Sequence, residues 1–397
     1  MSGPLEGIRI VDVSAIVSGP LAAMMLADQG ADVVKVEPVE LGDATRLPVN
    51  YRAGMSALFA NCNRGKRAMA LDLKATAGRE IVLDLVKQAD VFIENWRPGA
   101  AERLGLGEDV LRKLNQNLIY ASISGYGTSG PYRDRRVYDP VIQAYTGMIE
   151  NQRNLDTGEI DLVRNIVADK ATAYTVTQAV VAALFARERG AGGQRIDVAM
   201  LDATLAFFWP DGMMMHTLLG DGVEQPICMA DVYRVWKTSD GDVIAFFQSA
   251  AELTGLAHAL DRPDWLDDEN FTDIAKRLHP DNIERMTQEV KDAIGQFTTD
   301  EILERFNREE VPVAPVLSRS DVADDPQVKV NQSIFERDHP VYGRYRQARP
   351  APHFSRTPAE AGRDAPLHGE HTVEVLREIG YDDAKIEALR ARGIIGQ

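Results

Sequence analysis

The chain has 397 residues, 45% of them hydrophobic and 26% charged, and carries a formal net charge of −16. That balance describes a globular protein with apolar material for more than one core, and its acidity excludes nucleic acid and anionic membrane surfaces as the main partner. No window approaches the roughly 18 continuous apolar residues of a membrane span and the first residues (MSGPLEGIRIVDVS) lack a signal pattern, so a cytoplasmic location is expected. Cys62 and Cys228 stand far apart and outside any CxxC or Cys/His cluster, so neither a disulfide framework nor a metal site is expected.

From the start the apolar period switches between two and 3.6. GIRIVDVS reads as a strand, GPLAAMMLADQGA as a helix and DVVKVEP as a second strand, which is a βαβ unit. RAMALDLK, DVFIENW and LIYASISGYG continue as strands, with helices at TAGREIVLDLVKQA and GEDVLRKLNQN between them. Strands alternating with helices imply a parallel sheet covered on both faces, so the first domain is expected to be α/β and doubly wound. A helix follows near Asp139–Met148, then a polar loop at 151–161 and the long apolar stretch ADKATAYTVTQAVVAALFARERG, closed by Gly190. GQRIDVAM reads as a strand and LDATLAFFWPDGMMMHTLLG as a helix interrupted near Pro210. The character changes near Gly222: YRVWKTSDGDVIAFFQ reads as a hairpin turning at Asp240-Gly241, followed by amphipathic helices to about Glu310. A smaller α+β domain is therefore expected at 223–325, after a first segment at 1–222. The tail from VPVAPVLSRSDV is rich in Pro and Arg and ends in helical patterns at HGEHTVEVLREIGY and DDAKIEALRARGI.

Gly125 to Gly130 match GxGxxG after a strand, but PYRDRR follows where a dinucleotide site needs the apolar first turns of a helix, and the first strand-to-helix junction carries only Gly19. There is no GxxxxGK[ST] loop and no GxSxG elbow, and His368-Gly369-Glu370-His371 lacks the helical i, i+4 histidine pair of a zinc site. What remains are basic and polar groups at predicted strand ends: Arg46, Asn63 to Arg67, Lys74, Asn95 to Arg97, Arg103 and Arg133 to Arg136. Ligands of open parallel sheets bind at the carboxyl ends of strands, so these residues either converge on an anionic ligand or form a solvated, salt-bridged face. Asp169, just ahead of a long apolar helix, reads by default as an N-cap.

In order and spacing, the segments SGPLAAMMLADQGADVVKVEP, GDATR, NRGKRAMALDLK, ADVFIENWRPGAAERLGLG, LIYASISGYGTSGPY, VADKATAYTV, GQRIDVAMLDA, VPVAPVLSRSDVADDPQ and APLHGEHTVEVLREIGY resemble CoA-transferase family III. The resemblance implies a Rossmann-like large domain that residues 326–397 return to complete, and an interlocked dimer in which two ring-like chains thread each other. It implies a CoA-transferase that moves coenzyme A from an acyl-CoA to a free carboxylic acid, with Asp169 as nucleophile and no cofactor beyond coenzyme A. Carried over residue by residue, it implies CoA contacts from Val17 and Ser18, from Leu71, Asp72, Leu73 and Lys74, from Asn95, Trp96 and Arg97, from Arg103, and from Arg136, Val137 and Tyr138. Pro38 stands where relatives often place an arginine. Val17 replaces the active-site glutamine of formyl-CoA transferases, and their glycine-rich covering loop has no counterpart between Gln225 and Gln248, so a formyl/oxalate pair is not expected. Related acyl-CoA racemases use a histidine at the position of Tyr138, which favours transfer over 2-methylacyl-CoA racemisation. A subunit of a hetero-oligomeric transferase is the other alternative. Arg133, Arg135 and Arg136 hint at an anionic acyl group.

Overall fold

The protein is described by a computed structural model covering residues 3–47, 49–155, 157–224 and 227–396. Parts of two expectations, Asp156 in the polar loop and Gln225 near the domain change, lie outside the described residues. The chain forms two compact units. The first runs to Glu150, resumes at Leu162–Phe207 and again from Lys329 onward, and the second comprises Asn151–Asp161 and Phe208–Val328.

The first unit is built on six strands, Arg9–Asp12, Asp32–Glu37, Lys66–Ala70, Val91–Glu94, Ile119–Ser124 and Arg195–Ala199, which pair in parallel throughout. Their spatial order is third, second, first, fourth, fifth, sixth, so the direction of winding reverses between the first and fourth strands. Sequences such as VFIE and IYASIS are almost wholly buried because the sheet is covered on both faces. Ile10, Val33, Val91 and Ile93 face one core with Leu26 of helix Ser18–Asp28 and Val176 of helix Val167–Ala186. Their sequence neighbours Val11, Val34 and Phe92 face the other core with Ile81 and Val82 of helix Thr76–Val86. Val375, Leu376, Ile386 and Leu389 also belong to this second core, so the end of the chain completes the unit. Backbone bonds fasten it there: His371 N–H to Ala68 O at 2.9 Å, Asp72 N–H to Ile394 O at 2.9 Å and Gly396 N–H to Ala70 O at 3.1 Å.

The second unit packs Trp236, Leu256, Trp265, Phe271, Val290 and Phe306 into its own core. The hairpin expected at Asp240-Gly241 is present, with Trp236–Lys237 antiparallel to Asp242–Ala245 and Thr238 N–H donating to Gly241 O at 3.0 Å. Val313–Pro315 adds a third strand from a stretch whose prolines masked its alternation. A two-stranded ribbon, Ile334–His339 with Gly343–Ala348, likewise went unread in the arginine-rich tail of the first unit. Pro210 does not interrupt its helix, which continues as Met200–Gly212. A proline lacks one N–H and crowds the turn before it, and only two residues follow Pro210 in this helix, so a single backbone bond is forgone near its end.

Charged side chains lie inside the first unit. Lys66, fully buried, donates to Asp12 Oδ2, Asn63 Oδ1 and the Pro20 carbonyl, each at 2.8 Å. Lys35, also fully buried, donates to the Ser14 carbonyl at 2.9 Å and lies 3.0 Å from Asp43. Removing one partner of such a pair leaves an uncompensated buried charge. Lys66→Met is expected to destabilise the protein by about 3–5 kcal/mol, while Lys66→Met with Asp12→Leu recovers most of the loss. Urea denaturation followed by circular dichroism checks this, and a double variant no more stable than the single one would show that the charge of Asp12 is not the source of the cost.

Candidate active site

Open parallel sheets bind ligands beyond the carboxyl ends of their strands at the point where winding reverses. A cleft of about 280 Å³ occupies that place here, walled by Ile16 and Ser18 after the first strand, Asn95 to Pro98 after the fourth, Ser124 and Gly125 at the end of the fifth and Met200 after the sixth. Arg133, Arg135, Arg136, Val137, Tyr138 and Asp169 complete its wall.

The loop after the first strand is clamped from three sides. Asn95 brackets Ala15, accepting its N–H at 2.8 Å and donating to its carbonyl at 2.6 Å. Lys35 holds the Ser14 carbonyl, and Asp43 accepts the Ile16 N–H at 3.2 Å. Ile16 has φ of 69°, a conformation that a β-branched residue adopts only when its surroundings impose it. The clamp delivers Ser18 to the start of its helix, where its hydroxyl and backbone N–H lie against the Asp169 carboxylate and favour its charged form.

Asp169 is not an N-cap. Helix Val167–Ala186 has Ile166 at the cap position with no capping side chain, and Asp169 is its third residue. The Asp169 N–H is instead capped by Asp139 Oδ2 at 2.9 Å. Asp139 opens the helix Asp139–Tyr145, and its other oxygen accepts from Gln143 at 2.6 Å. Fully buried Gln143 in turn accepts the Val163 N–H at 2.9 Å and donates to Val163 O and Asn165 O, which steers the chain into the Asp169 helix. Asp169 is 9% exposed, and its carboxyl group is free of any capping duty. Burial first, and then the neighbouring charge of Asp139, pushes its pKa up to about 6, against the opposing pull of the Ser18 bonds.

The structure therefore brings Ser18, Asn95, Trp96, Arg97, Arg136, Val137, Tyr138 and Asp169 of the expected residues to one cleft. Asn95 spends its amide on the loop clamp, and Trp96 is half-buried against the second core. Val17 is buried at the cap position of the Ser18 helix and is not part of the wall. Leu71 sits in the second core with its N–H on Glu37 O, Asp72 and Lys74 form a local turn, and Arg103 ends the short helix Ala100–Arg103. None of these residues, nor Leu73, lines the cleft. Gly125 to Gly130 form a loop and not a helix start; a Cβ at Gly125 would lie 2.4 Å from Val137, so glycine lets that loop close on itself. Arg135 stacks 3.9 Å over the Tyr132 ring and donates to the Tyr145 hydroxyl at 3.1 Å. Arg97, Arg133 and Arg136 are exposed and form no ion pair among the described residues. Asp139 and Gln143 were missed because Asp-Pro at a helix start signals its own helix and says nothing of a second one thirty residues on.

The model of CoA-transferase family III matches residues 5–372. The chain belongs to CoA-transferase family III. A Fusarium pseudograminearum protein named acyl-CoA transferase is 32% identical over 99% of this chain and 88% of its own length. The human succinyl-CoA:glutarate CoA-transferase is 30% identical over 99% of this chain and 90% of its own. A Bradyrhizobium diazoefficiens formyl-CoA:oxalate CoA-transferase is 29% identical over 100% of this chain and 98% of its own. Among solved structures, a CaiB/BaiF family protein from Brucella suis superposes with a TM-score of 0.81 at 29% identity, covering 96% of this chain and all of that one. The protein is a CoA-transferase enzyme of mixed α/β fold.

The raised pKa of Asp169 has two consequences with opposite signs. Activity that needs its carboxylate rises as pH increases through about 6. The folded state holds that proton more tightly than the unfolded one, so this group's contribution to stability is complete below the ordinary Asp range and is lost, by about 3 kcal/mol, as pH rises through about 6. Asp139→Asn removes the neighbouring charge and is expected to move the acid limb of the pH–rate profile to lower pH. A limb unchanged in that variant would show that burial alone sets the value.

Proposed function

We propose that Asp169 is the nucleophile of CoA transfer between an acyl-CoA and a free carboxylic acid. The observation that carries this is the division of labour between two aspartates: Asp139 caps the helix, and Asp169, relieved of that task, faces an open cleft. An Asp169 oxygen attacks the thioester carbonyl, forming an aspartyl-acyl anhydride as the C–S bond breaks and releases CoA thiolate. The thiolate attacks the Asp169 carbonyl, expelling the first acid and leaving an aspartyl-CoA thioester. The incoming carboxylate attacks that thioester to form a new anhydride and thiolate, and thiolate attack on the new acyl carbon frees Asp169. A carboxylate with raised pKa suits this cycle, being more basic than a solvated one yet ionised near neutrality. The Ser18 N–H and hydroxyl hold it at the start of a helix, where an anion is favoured.

Coenzyme A is the only cofactor in this reading. Arg97 and Arg136 meet its phosphates, Trp96 lies beside its adenine, and Val137 and Tyr138 line its path. Family resemblance assigns further contacts to Val17, Leu71 to Lys74 and Arg103, which lie outside the cleft wall, and in this reading they serve the part of coenzyme A that extends beyond it. The human relative's name, succinyl-CoA:glutarate, suits a dicarboxylic partner for Arg133, which forms no ion pair among the described residues. Racemisation is disfavoured: no histidine is among the cleft's wall residues, and Tyr138, 70% exposed, occupies the place where racemases use one.

The unit is Rossmann-like in its strand order, and we place the chain in a cytoplasmic, interlocked homodimer. The chain leaves the first unit at Phe207 and returns at Lys329 to finish it. Helix Val167–Ala186 also presents Tyr174, Val181 and Phe185 on one side, with Tyr174 and Phe185 each 64% exposed, a stripe that a lone chain would leave wet.

Asp169→Ala is expected to lower transfer about a thousandfold or more while CoA binding and melting temperature stay near wild type, because Asp139 holds the cap. Near-normal turnover would remove Asp169 from the mechanism, whereas a large drop in melting temperature would return it to a structural role. Sedimentation is expected to show a dimer at every concentration at which the chain is folded; a folded monomer at low micromolar concentration would rule out interlocking.

A further inference from the structure

The second unit contains a cavity of about 570 Å³, within the range of small-molecule sites. Met214, Leu218, Trp236, Phe246 and Met286 form apolar parts of its wall. Arg277 is different in kind. It lies at the end of the short helix Ile274–Arg277, is 8% exposed, lines this cavity, and its guanidinium donates to the Gln248 carbonyl at 2.9 Å. No carboxylate among the described residues pairs with it, although almost every other buried cation of the chain has one. Burial lowers its pKa with no opposing charge to restore it. Half-buried Arg234 lines the same cavity and also forms no ion pair among the described residues. Among the described residues the one acid in the wall is Glu224, which is exposed.

We infer that this cavity binds a carboxylic acid with an apolar body, its carboxylate on the Arg277 guanidinium and its tail among Met214, Leu218, Phe246 and Met286. A guanidinium taken out of water without a counter-ion is costly, and a planar carboxylate is the group that its fork matches with two parallel bonds. A neutral apolar ligand would fill the space and leave that charge unpaired; a cationic one would add to it. Free carboxylic acids are one of the two substrate classes proposed above, but the inference stands on the second unit alone and is independent of Asp169.

The test uses the full chain without coenzyme A, so that turnover does not intervene. Calorimetric titration with octanoate is expected to show one site per chain with a Kd of about 1 mM or tighter. The uncharged isostere 1-octanol is expected to bind at least tenfold more weakly and octylamine not at all. Arg277→Met should lose octanoate binding at least tenfold, keep octanol binding, and melt no lower than wild type, because an unpaired buried charge has been removed. Should that variant misfold, Met214→Trp adds bulk at a wall position that is 39% exposed, and it should weaken octanoate and octanol alike. Equal binding of octanoate and octanol, binding indifferent to both substitutions, or no binding because a second copy of the chain fills the cavity would each overturn the inference.

Discussion

Two lysines with no exposed surface, Lys35 and Lys66, tie together the elements on which the cleft is built. Lys66, on the third strand, reaches Asp12 at the end of the first strand and the Pro20 carbonyl in the first helix. Lys35, on the second strand, holds Ser14 O and Asp43. Burial works against the charge of Asp12, yet the ammonium groups of Lys66 and Lys35 outweigh it and hold its carboxyl below the ordinary range. Asp43 passes the constraint on to Ile16 N–H and accepts from Thr45, and its own N–H binds Glu37, which is paired through both oxygens with Arg46 at 2.7 Å. Arg46 donates to Pro366 O at 3.1 Å, so the same network reaches the returning end of the chain. Charges buried this way add little net stability compared with apolar packing, but they are intolerant of displacement. Their product is geometry: an isoleucine held at positive φ and Ser18 aimed at Asp169.

On the other side of the cleft the same economy is achieved without a buried cation, by one carboxylate and one amide. Gln143 and Asp139 satisfy the backbone ahead of helix Val167–Ala186, work that would otherwise fall to the first polar side chain of that helix. A nucleophilic carboxylate and a capping carboxylate make incompatible demands, since one must be free to attack and the other must stay bonded. Placing them on different helices resolves the conflict. The proximity that capping requires also sets two carboxyl groups close together in a buried site, and this adds to the rise in the pKa of Asp169. Support for the helix and tuning of its reactive group therefore arise from a single contact.

Much of this was legible in the residues. Short apolar runs such as VFIE and IYASIS, set between segments of helical period, located all six strands of the sheet, because strands buried on both faces must be apolar almost throughout. Asp240-Gly241 announced its hairpin through the turn it requires. Short strands were lost where proline or arginine broke the alternation, as at Val313–Pro315 and in the Ile334–His339 ribbon. The basic residues near strand ends were visible as a class, but their fates were not. Arg46 and Arg64 pair internally with Glu37 and Asp28, Arg135 stacks on Tyr132, and Arg97, Arg133 and Arg136 remain exposed at the cleft.

What the sequence determined by itself is everything set by local periodicity and by order along the chain: an acidic α/β protein, its parallel sheet, its change of character after the first domain, and the family to which Asp169 and its flanking residues point. Tertiary structure decided which groups are spent and which are free. Asp169 looks like a cap in one dimension because a cap is defined by its neighbours in sequence. It is released only because Asp139, thirty residues away, reaches its N–H in space. The same holds for Asn95, whose amide goes to Ala15, and for Arg277, whose isolation from any carboxylate among the described residues is a property of its surroundings and not of its place in the chain. Hydrogen bonds and ion pairs are made at distances of about 3 Å, and sequence separation carries almost no information about which groups come that close.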